Sequence, residues 1–401
     1  MPISRHAWSR RVCLAVLVPG VALVATAAPA AAQSAHRRSS TSSGASSTGR
    51  YVVVLHDDSD PDAVAADQAG RYRARVSYVY HRALHGYAAT MSAADARALA
   101  GDPQVESVEP DRRVRFRAAA HPAVPWDLDR IDQASPKLDG SYTPAGDGDG
   151  VTAYVIDTGI RLTHHQFEGR AVSGFDAVDG GDATDCNGHG THVAGTIGGA
   201  TSGVAKKVRL VAVRVLGCDG SGTTAGVIAG IDWVTKDHRP GTPAVANMSL
   251  GGGVSAALDR AVKRSIADGV TYAVAAGNGN QAGVPQDACK SSPARVAAAL
   301  TVGATDKTDK AASFSNYGTC VDLFAPGVGI TSDWYTSTSA TNTISGTSMA
   351  TPHVTGVAAL YLQGNPSAAP STVAGALAAA TTKNAVPTNR TANNDLLFTA
   401  Y

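Results

Sequence analysis

The sequence predicts an α/β fold: a doubly wound parallel sheet with helices on both faces, preceded by a small ferredoxin-like α+β unit. Three observations carry this. From Trp126 onward, apolar runs bounded by Gly, Asn or Asp alternate with helical segments. Over residues 51–117 the periodicities follow the order βαββαβ. The 401 residues include 42 Gly and only 5% aromatics, which suits tight turns and close helix–sheet packing. With 44% hydrophobic and 17% charged residues, the chain is built to pack and not to stay disordered.

The net charge of +1 hides an asymmetry. Residues 1–120 carry 15 Lys/Arg against 10 Asp/Glu, and residues 121–401 carry 19 against 23. The larger part is mildly acidic, which excludes a basic phosphate-binding surface and so a nucleic-acid partner. The apolar run closest to membrane length is N-terminal, which argues against an integral membrane protein.

That N-terminus reads as an export signal over residues 1–32. Arg5, Arg10 and Arg11 give the positive region, Val12 to Ala25 the apolar run, and Ala30-Ala31-Ala32 the small-residue cleavage pattern. Arg10-Arg11 leaves both the general and the twin-arginine route open. The Ser/Thr/Gly-rich stretch 33–50 reads as a flexible linker. In the small unit, strands are expected at Tyr51–Leu55, Val76–Tyr80, Gly86–Met91 and Gln104–Phe116. Helices are expected at Pro61–Ala74 and Ser92–Ala100, the latter capped by Ser92. Residues 118–125 look like a second exposed joint. In 126–401, buried parallel strands are expected at Val151–Ile156, Val208–Leu216, Val245–Leu250 and Val270–Ala275. Helices are expected near Gly190–Ile197, Ser221–Asp237, Ser255–Asp268 and Ser348–Leu362.

Export makes the cysteines informative. Cys13 leaves with the signal, and Cys186, Cys218, Cys289 and Cys320 remain. An even number in an oxidising compartment suggests two disulfides, with three possible pairings. Pairing by order closes loops of about 32 and 31 residues, which the chain-entropy model values at roughly 3–4 kcal/mol each. No Cys-x-x-Cys spacing supports zinc.

Three motifs carry chemistry. In Tyr154–Gly159 an Asp closes a buried apolar strand, where open α/β sheets place their sites; an Asp there can also just cap a turn. In Asn187–Gly195, His189 sits at a loop-to-helix junction between glycines and reads as a working base. His192, three residues on among small apolar residues, reads as structural, and no Glu accompanies the pair in zincin spacing. In Ser345–His353, Ser348 starts a helix after a Gly turn, with an exposed hydroxyl and a free backbone N–H. Its plainer role is an N-cap, which does not require the whole nine-residue string.

Together these strings identify the chain as similar to the subtilisin-like serine proteases, most closely the proteinase K branch with the aqualysin-like secreted alkaline proteases. The resemblance spans residues 51–400. It includes Trp126–Gln133, the three motifs, Ala275–Asn278 and Ser313–Gly318, in the order Asp, His, Ser. It implies a secreted serine endopeptidase of broad specificity for protein and peptide substrates, acting through an acyl-enzyme. Ser348 would attack, His189 would move the proton, Asp157 would hold the imidazole, and Asn278 would donate to the oxyanion. Ser249, Leu250 and Gly251, with Gly252, would form one edge for an extended substrate, and Gly220, Ser221 and Gly222 the other. The disulfides would pair Cys186–Cys218 and Cys289–Cys320. Structural calcium is implied, with Asp322 and the carbonyls of Ala297 and Ala299 at one position. Asp129, Asp132, Gln133, Asp139 and Ser141 match another, and the acidic stretch Asp179–Asp185 offers room for a third. Residues 51–117 resemble an inhibitory prodomain, cut from the catalytic domain 126–401 within the joint. That prodomain would act as a transient inhibitor of a monomeric enzyme. Its C-terminal arginines (112, 113, 115, 117) are expected to favour the acidic catalytic domain. A subtilase-fold esterase, a narrow processing protease and an inactive binding module are the rival readings. The last would need a missing catalytic member, and none is missing.

Overall fold

The computed structural model describes residues 48–114, the backbone of 115 and of 119–120, and residues 125–388 and 390–401. The expected signal peptide, the linker up to residue 47 and most of the joint at 118–125 lie outside the described residues.

The N-terminal unit is a four-stranded antiparallel sheet in the order β2-β3-β1-β4, with two helices. It runs β1 (Thr48–Leu55), α1 (Pro61–Arg71), β2 (Arg75–Tyr80), β3 (Gly86–Ser92), α2 (Ala93–Leu99) and β4 (Val105–Pro110). Asp60 caps α1 through the N–H groups of Asp62 and Ala63, and Ser92 caps α2 through that of Asp95. Strand β1 starts inside the stretch expected to be linker. Its alternating residues explain the run Val52–Leu55. Val53 and Leu55 face the unit's own helices, while Val52 and Val54 join a core cluster with catalytic-domain residues.

The strand expected over Gln104–Phe116 is broken in two. The ladder with β1 ends at Pro110, opposite Tyr51, and its last bond runs from the Asp111 N–H to the Arg50 carbonyl at 2.8 Å. Asp111 and Arg112 turn the chain, and β5 (Arg113–Arg115) pairs elsewhere; Phe116 lies outside the described residues. The short strand β6 (Ala119–Ala120) and helix α3 (Trp126–Ile131) follow. Helix α3 is pinned by Arg130, whose guanidinium holds Asp309 at 2.7 and 3.0 Å, and by Asp127, 2.9 Å from His353.

The large domain continues with β7 (Thr152–Asp157), β8 (Ala171–Asp176), α4 (His189–Gly198), β9 (Arg209–Arg214), β10 (Ser221–Thr223), α5 (Thr224–Asp237) and β11 (Ala244–Met248). Then come β12 (Gly251–Gly253), α6 (Ala256–Ala267), β13 (Thr271–Ala275), β14 (Ser291–Ser292), β15 (Leu300–Thr305), β16 (Leu323–Pro326), β17 (Ile330–Asp333), β18 (Thr341–Ser345), α7 (Thr347–Gly364) and α8 (Pro370–Ala380). Seven parallel strands form the main sheet in the order β16-β15-β13-β11-β7-β9-β8. Strand β7 shows why its sequence is a continuous apolar run. Ala153 and Val155 pack with α4 and α7 on one face, and Tyr154 and Ile156 with α5 and α6 on the other. The helix expected from Ser221 begins only at Thr224, because Ser221–Thr223 pair as an edge strand and Thr223 caps the helix. The disulfides join Cys186 to Cys218 and Cys289 to Cys320.

One buried acid has a consequence for stability. Asp333 ends β17 against α4, so close that a methyl group at Gly195 would lie 2.7 Å from its Oδ2. That oxygen accepts no hydrogen bond among the described residues. Its neighbour at 3.8 Å is His164 Nδ1, and His164 carries its proton on Nε2, bonded to the Ala340 carbonyl. Burial pushes the Asp333 carboxyl up to about 7, with Arg170 opposing. A carboxyl raised on folding leaves the folded state favoured while it is protonated. Stability is therefore lost as pH climbs from the unfolded value near 4 through 7. Asp333→Asn, made on a background lacking proteolysis, should melt several degrees higher than its parent at pH 9 and equally at pH 4. Equal melting at both pH values would contradict the assignment.

Candidate functional site

The carboxyl ends of β7, β11 and β13 meet at one place, beside the N-termini of α4 and α7. Asp157 closes β7 fully buried. Its Oδ1 accepts from the Thr158 N–H at 2.8 Å and from His189 Nδ1 at 2.7 Å. A carboxylate on Nδ1 fixes the tautomer, leaving Nε2 as the basic nitrogen. His189 is the first residue of α4. Gly188 before it has φ +113°, and the Trp334 ring lies 2.5 Å from where a β-carbon would sit, so this turn requires glycine.

The loop that presents His189 hangs on a residue whose role the sequence did not reveal. Asp185 Oδ1 accepts from the Asn187 and Gly188 N–H groups and from Thr158 Oγ1, at 2.8–3.0 Å. Its Oδ2 accepts from the Thr191 N–H and hydroxyl at 3.0 and 2.5 Å. Asp179 meanwhile binds Arg214, which also holds Asp176. The two end acids of the stretch 179–185 are thus engaged by protein donors rather than gathered as an ion site. Alternating acids in a loop look alike in sequence whether they face an ion or backbone N–H groups.

Ser348 is the second residue of α7. Its N–H belongs to the first turn, whose N–H groups lack intrahelical partners. Its hydroxyl donates to the Ser249 carbonyl at 3.1 Å, and Ser249 Oγ donates back to the Ser348 carbonyl at 2.8 Å. Asn247 donates to Ser249 Oγ at 2.8 Å and accepts from Thr355 at 2.9 Å, clasping the end of β11 to α7. Asn278 follows β13. Its Oδ1 accepts from both the N–H and the hydroxyl of Thr347 at 2.8 Å, which sets the amide's orientation and directs Nδ2 away from Thr347. Asn316 braces the same turn, donating to the Ala276 carbonyl and accepting from the Gly279 and Gln286 N–H groups. His192 is fully buried, and burial pushes its pKa down to about 3, so it stays neutral. Its Nε2 bonds the Ile330 carbonyl at 3.1 Å.

A cavity of about 290 Å³ opens beside Ser348, walled by Ser249, Leu250, Gly251, Ala276, Gly277 and Ala294 among others. Among the described residues the one charged group on it is Arg113, from the N-terminal unit. Strand β5 enters here. It lies antiparallel between β10 and β12, with Val114 opposite both Gly222 and Gly252, and Arg115 opposite both Ser221 and Gly251. Val114 is buried against Gly252. On the other side of Ser348, β6 pairs with β18, with Ala119 opposite Ser345. The chain is therefore held as strand on both flanks of the serine. Ser249, Leu250 and Gly220 lead into these edges as the sequence suggested, and Thr223 and Gly253 extend them.

Among the described residues the N-terminal unit docks mainly by placing acids on the large domain. Glu109 accepts from Ser255 Oγ and the Ala257 N–H at the start of α6. Asp111 accepts from the Ala225 N–H at the start of α5. Glu106 pairs with Arg260 and Asp57 with Arg264. In return, Asp232 of α5 accepts from the N–H groups of Arg82 and Ala83 at 2.6 and 2.8 Å. Of the four C-terminal arginines, Arg113 alone has a described acidic partner, Asp219 at 3.6 Å.

Among the described residues no group of three or more His, Cys, Asp and Glu side chains gathers as a metal site. The acids matched to calcium positions do cluster with other oxygen and amide groups. Asp129 accepts from Gln133 Nε2 and from the Asp139 and Gly140 N–H groups, and Asp139 accepts from Ser141. Asp132 Oδ2 accepts from the Thr143 N–H, but its Oδ1 is buried with no hydrogen-bond partner among the described residues. Asp322 accepts from the Thr301 N–H, two residues beyond Ala299. Burial pushes its carboxyl up to about 6.

The pattern of the subtilase family matches residues 148–396, and that of the peptidase inhibitor I9 family matches residues 21–117. An extracellular serine proteinase of Thermus sp. (strain Rt41A) is 54% identical over 376 residues, covering 88% of this chain and 90% of that protein. An alkaline serine exoprotease A of Vibrio alginolyticus is 51% identical, covering 87% of this chain and 67% of that one. The crystal structure of a cold adapted subtilisin-like serine proteinase superposes with a TM-score of 0.66 at 55% identity, over 70% of this chain and all of that one.

Proposed function

The chain belongs to the subtilase family, and from that premise we propose that Ser348, His189 and Asp157 hydrolyse peptide bonds in it, with Asn278 at the oxyanion. It is an extracellular serine endopeptidase, made as a precursor with an inhibitor I9 prodomain. The observation that carries the assignment is the buried 2.7 Å contact between His189 and Asp157 beside a serine at a helix start, with the chain itself lying in the cleft as strand. Substrate lies extended between β10 and β12. His189 Nε2 takes the Ser348 proton as Oγ attacks the carbonyl, and later returns it to the departing amine. Asp157 stabilises the imidazolium. The Asn278 amide and the Ser348 N–H receive the developing negative charge. The small, uncharged walls of the cavity support acceptance of many side chains, bulky apolar ones first. Since every member of the site comes from one chain, we read the enzyme as a monomer. Its acidic large domain supports neither nucleic acid nor membrane as a partner.

We also read the clusters at 129–141 and at Asp322 as positions for structural calcium. The buried, unpartnered Asp132 Oδ1 fits a hard cation, and carbonyl and amide oxygens would complete the shell. One experiment addresses both readings. The mature protein should digest casein at many bonds and leave no preference for short dibasic peptides, which sets it apart from a narrow processing protease. Preincubation with EDTA should leave the initial rate unchanged but shorten the half-life at elevated temperature. Restriction to dibasic sites would overturn the first reading, and an unchanged half-life the second.

A further inference from the structure

Asp219 directly follows Cys218 of the Cys186–Cys218 disulfide and lies two residues before edge strand β10. Its carboxylate is held in place. Oδ1 accepts from the Ser221 N–H at 3.0 Å, and Oδ2 accepts from Ser221 Oγ at 2.6 Å. Those hydrogen bonds hold its pKa below the usual carboxylate value, so it is an anion at neutral and alkaline pH. Its cation partner among the described residues is Arg113, which belongs to the strand occupying the cleft. Arg113 Nη2 lies 3.1 Å from Ser221 Oγ and 3.6 Å from Asp219 Oδ2, while its backbone pairs with Thr223. The serine hydroxyl thus links the two, donating to the acid and accepting from the arginine. When the prodomain leaves, Arg113 leaves with it, and Asp219 remains fixed on the cleft edge.

We propose that Asp219 gives the cleft a preference for a basic side chain at the substrate position that Arg113 fills in the precursor. The inference rests on the reading of the cleft between β10 and β12 as the substrate site. It adds an electrostatic selection to the cavity beside Ser348, whose lining includes Arg113. Both side chains are about two-thirds exposed, so the contact is screened and its effect is modest.

The test uses the mature enzyme and peptides copying residues 109–120, with Arg, Ala or Glu at the place of Arg113. Mass spectrometry confirms that the cut bond is the same in all three. The Arg peptide should be cleaved with kcat/KM about threefold above the Ala peptide, and the Glu peptide below it. The Arg-to-Ala ratio should fall towards one in 1 M salt, and also in the Asp219→Asn variant. The salt series needs no variant, so it stands even if Asp219→Asn folds poorly. Equal rates for Arg, Ala and Glu, or a ratio that survives in well-folded Asp219→Asn, would overturn the inference while leaving the endopeptidase reading intact. Failure to cleave any of the three would overturn both.

Discussion

Ser348→Ala should accumulate as a folded, uncut precursor with casein hydrolysis reduced by about 10⁶-fold, the scale on which removal of the nucleophile disables a subtilisin. The fold should survive. Among the described contacts the Ser348 hydroxyl donates to the Ser249 carbonyl, and the clasp from Ser249 Oγ to the Ser348 backbone does not need it. Removing one small hydroxyl at the end of a helix leaves the packing of α7 through Met349, Val354 and Val357 in place. The variant should therefore show the native near-ultraviolet spectrum and one band at precursor mass. Normal self-processing in this variant, with host proteases excluded, would remove Ser348 from the nucleophile's role.

The second large effect concerns the prodomain. Added in trans to mature enzyme, residues 48–117 should inhibit it at micromolar concentration or below. Two features of the docked unit support this. Strand β5 takes hydrogen bonds from both cleft edges, as a product strand would. Glu109 and Asp111 set negative charge on the exposed N–H groups at the starts of α6 and α5. The Asp111 side chain is almost fully buried in the complex and also binds Arg50 at 3.0 Å. Replacing both acids by alanine should weaken inhibition by about 10–100-fold, since each replacement leaves first-turn N–H groups unpaired in a closed interface. Inhibition curves with wild-type and doubly substituted prodomain decide this. Identical curves would mean that β5 alone holds the unit.

Much of this was legible in the sequence, for physical reasons that differ by element. Buried parallel strands such as β7 announce themselves as unbroken apolar runs ended by Asp or Asn, and the acid at that end is Asp157. His189 and Ser348 were marked by glycines at helix starts. What the sequence hid were contacts between distant residues. Asp185 looked like one acid of a possible ion site, because nothing local tells an ion from the N–H groups of a following loop. Gln104–Phe116 read as one strand since β4 and β5 share the same β-favouring pattern. Pro110 was the visible sign that they belong to different sheets. The acids that dock the unit were hidden for a similar reason, beside the one described ion pair of the C-terminal arginines, Arg113 with Asp219. The arginines crowd into six residues and are conspicuous, whereas Asp57, Glu106, Glu109 and Asp111 are scattered, and their partners are helix ends and arginines of α6. Asp333 carried no local signal at all, because its environment is set by α4 and by His164.

The central claim is that this chain cuts itself at the serine its own strands flank. Strand β5 ends at Arg115 on the β10–β12 edges, and β6 begins at Ala119 on β18, next to Ser345 and three residues from Ser348. The most direct measurement is the mass of the prodomain's C-terminal peptide, released by purified precursor as it matures. Unlike the N-terminus of the mature enzyme, that end is not altered by trimming of the joint. A single cut between Arg115 and Ala119 is expected, absent in Ser348→Ala. A prodomain ending before Arg115, or at Ala119 or later, would contradict it.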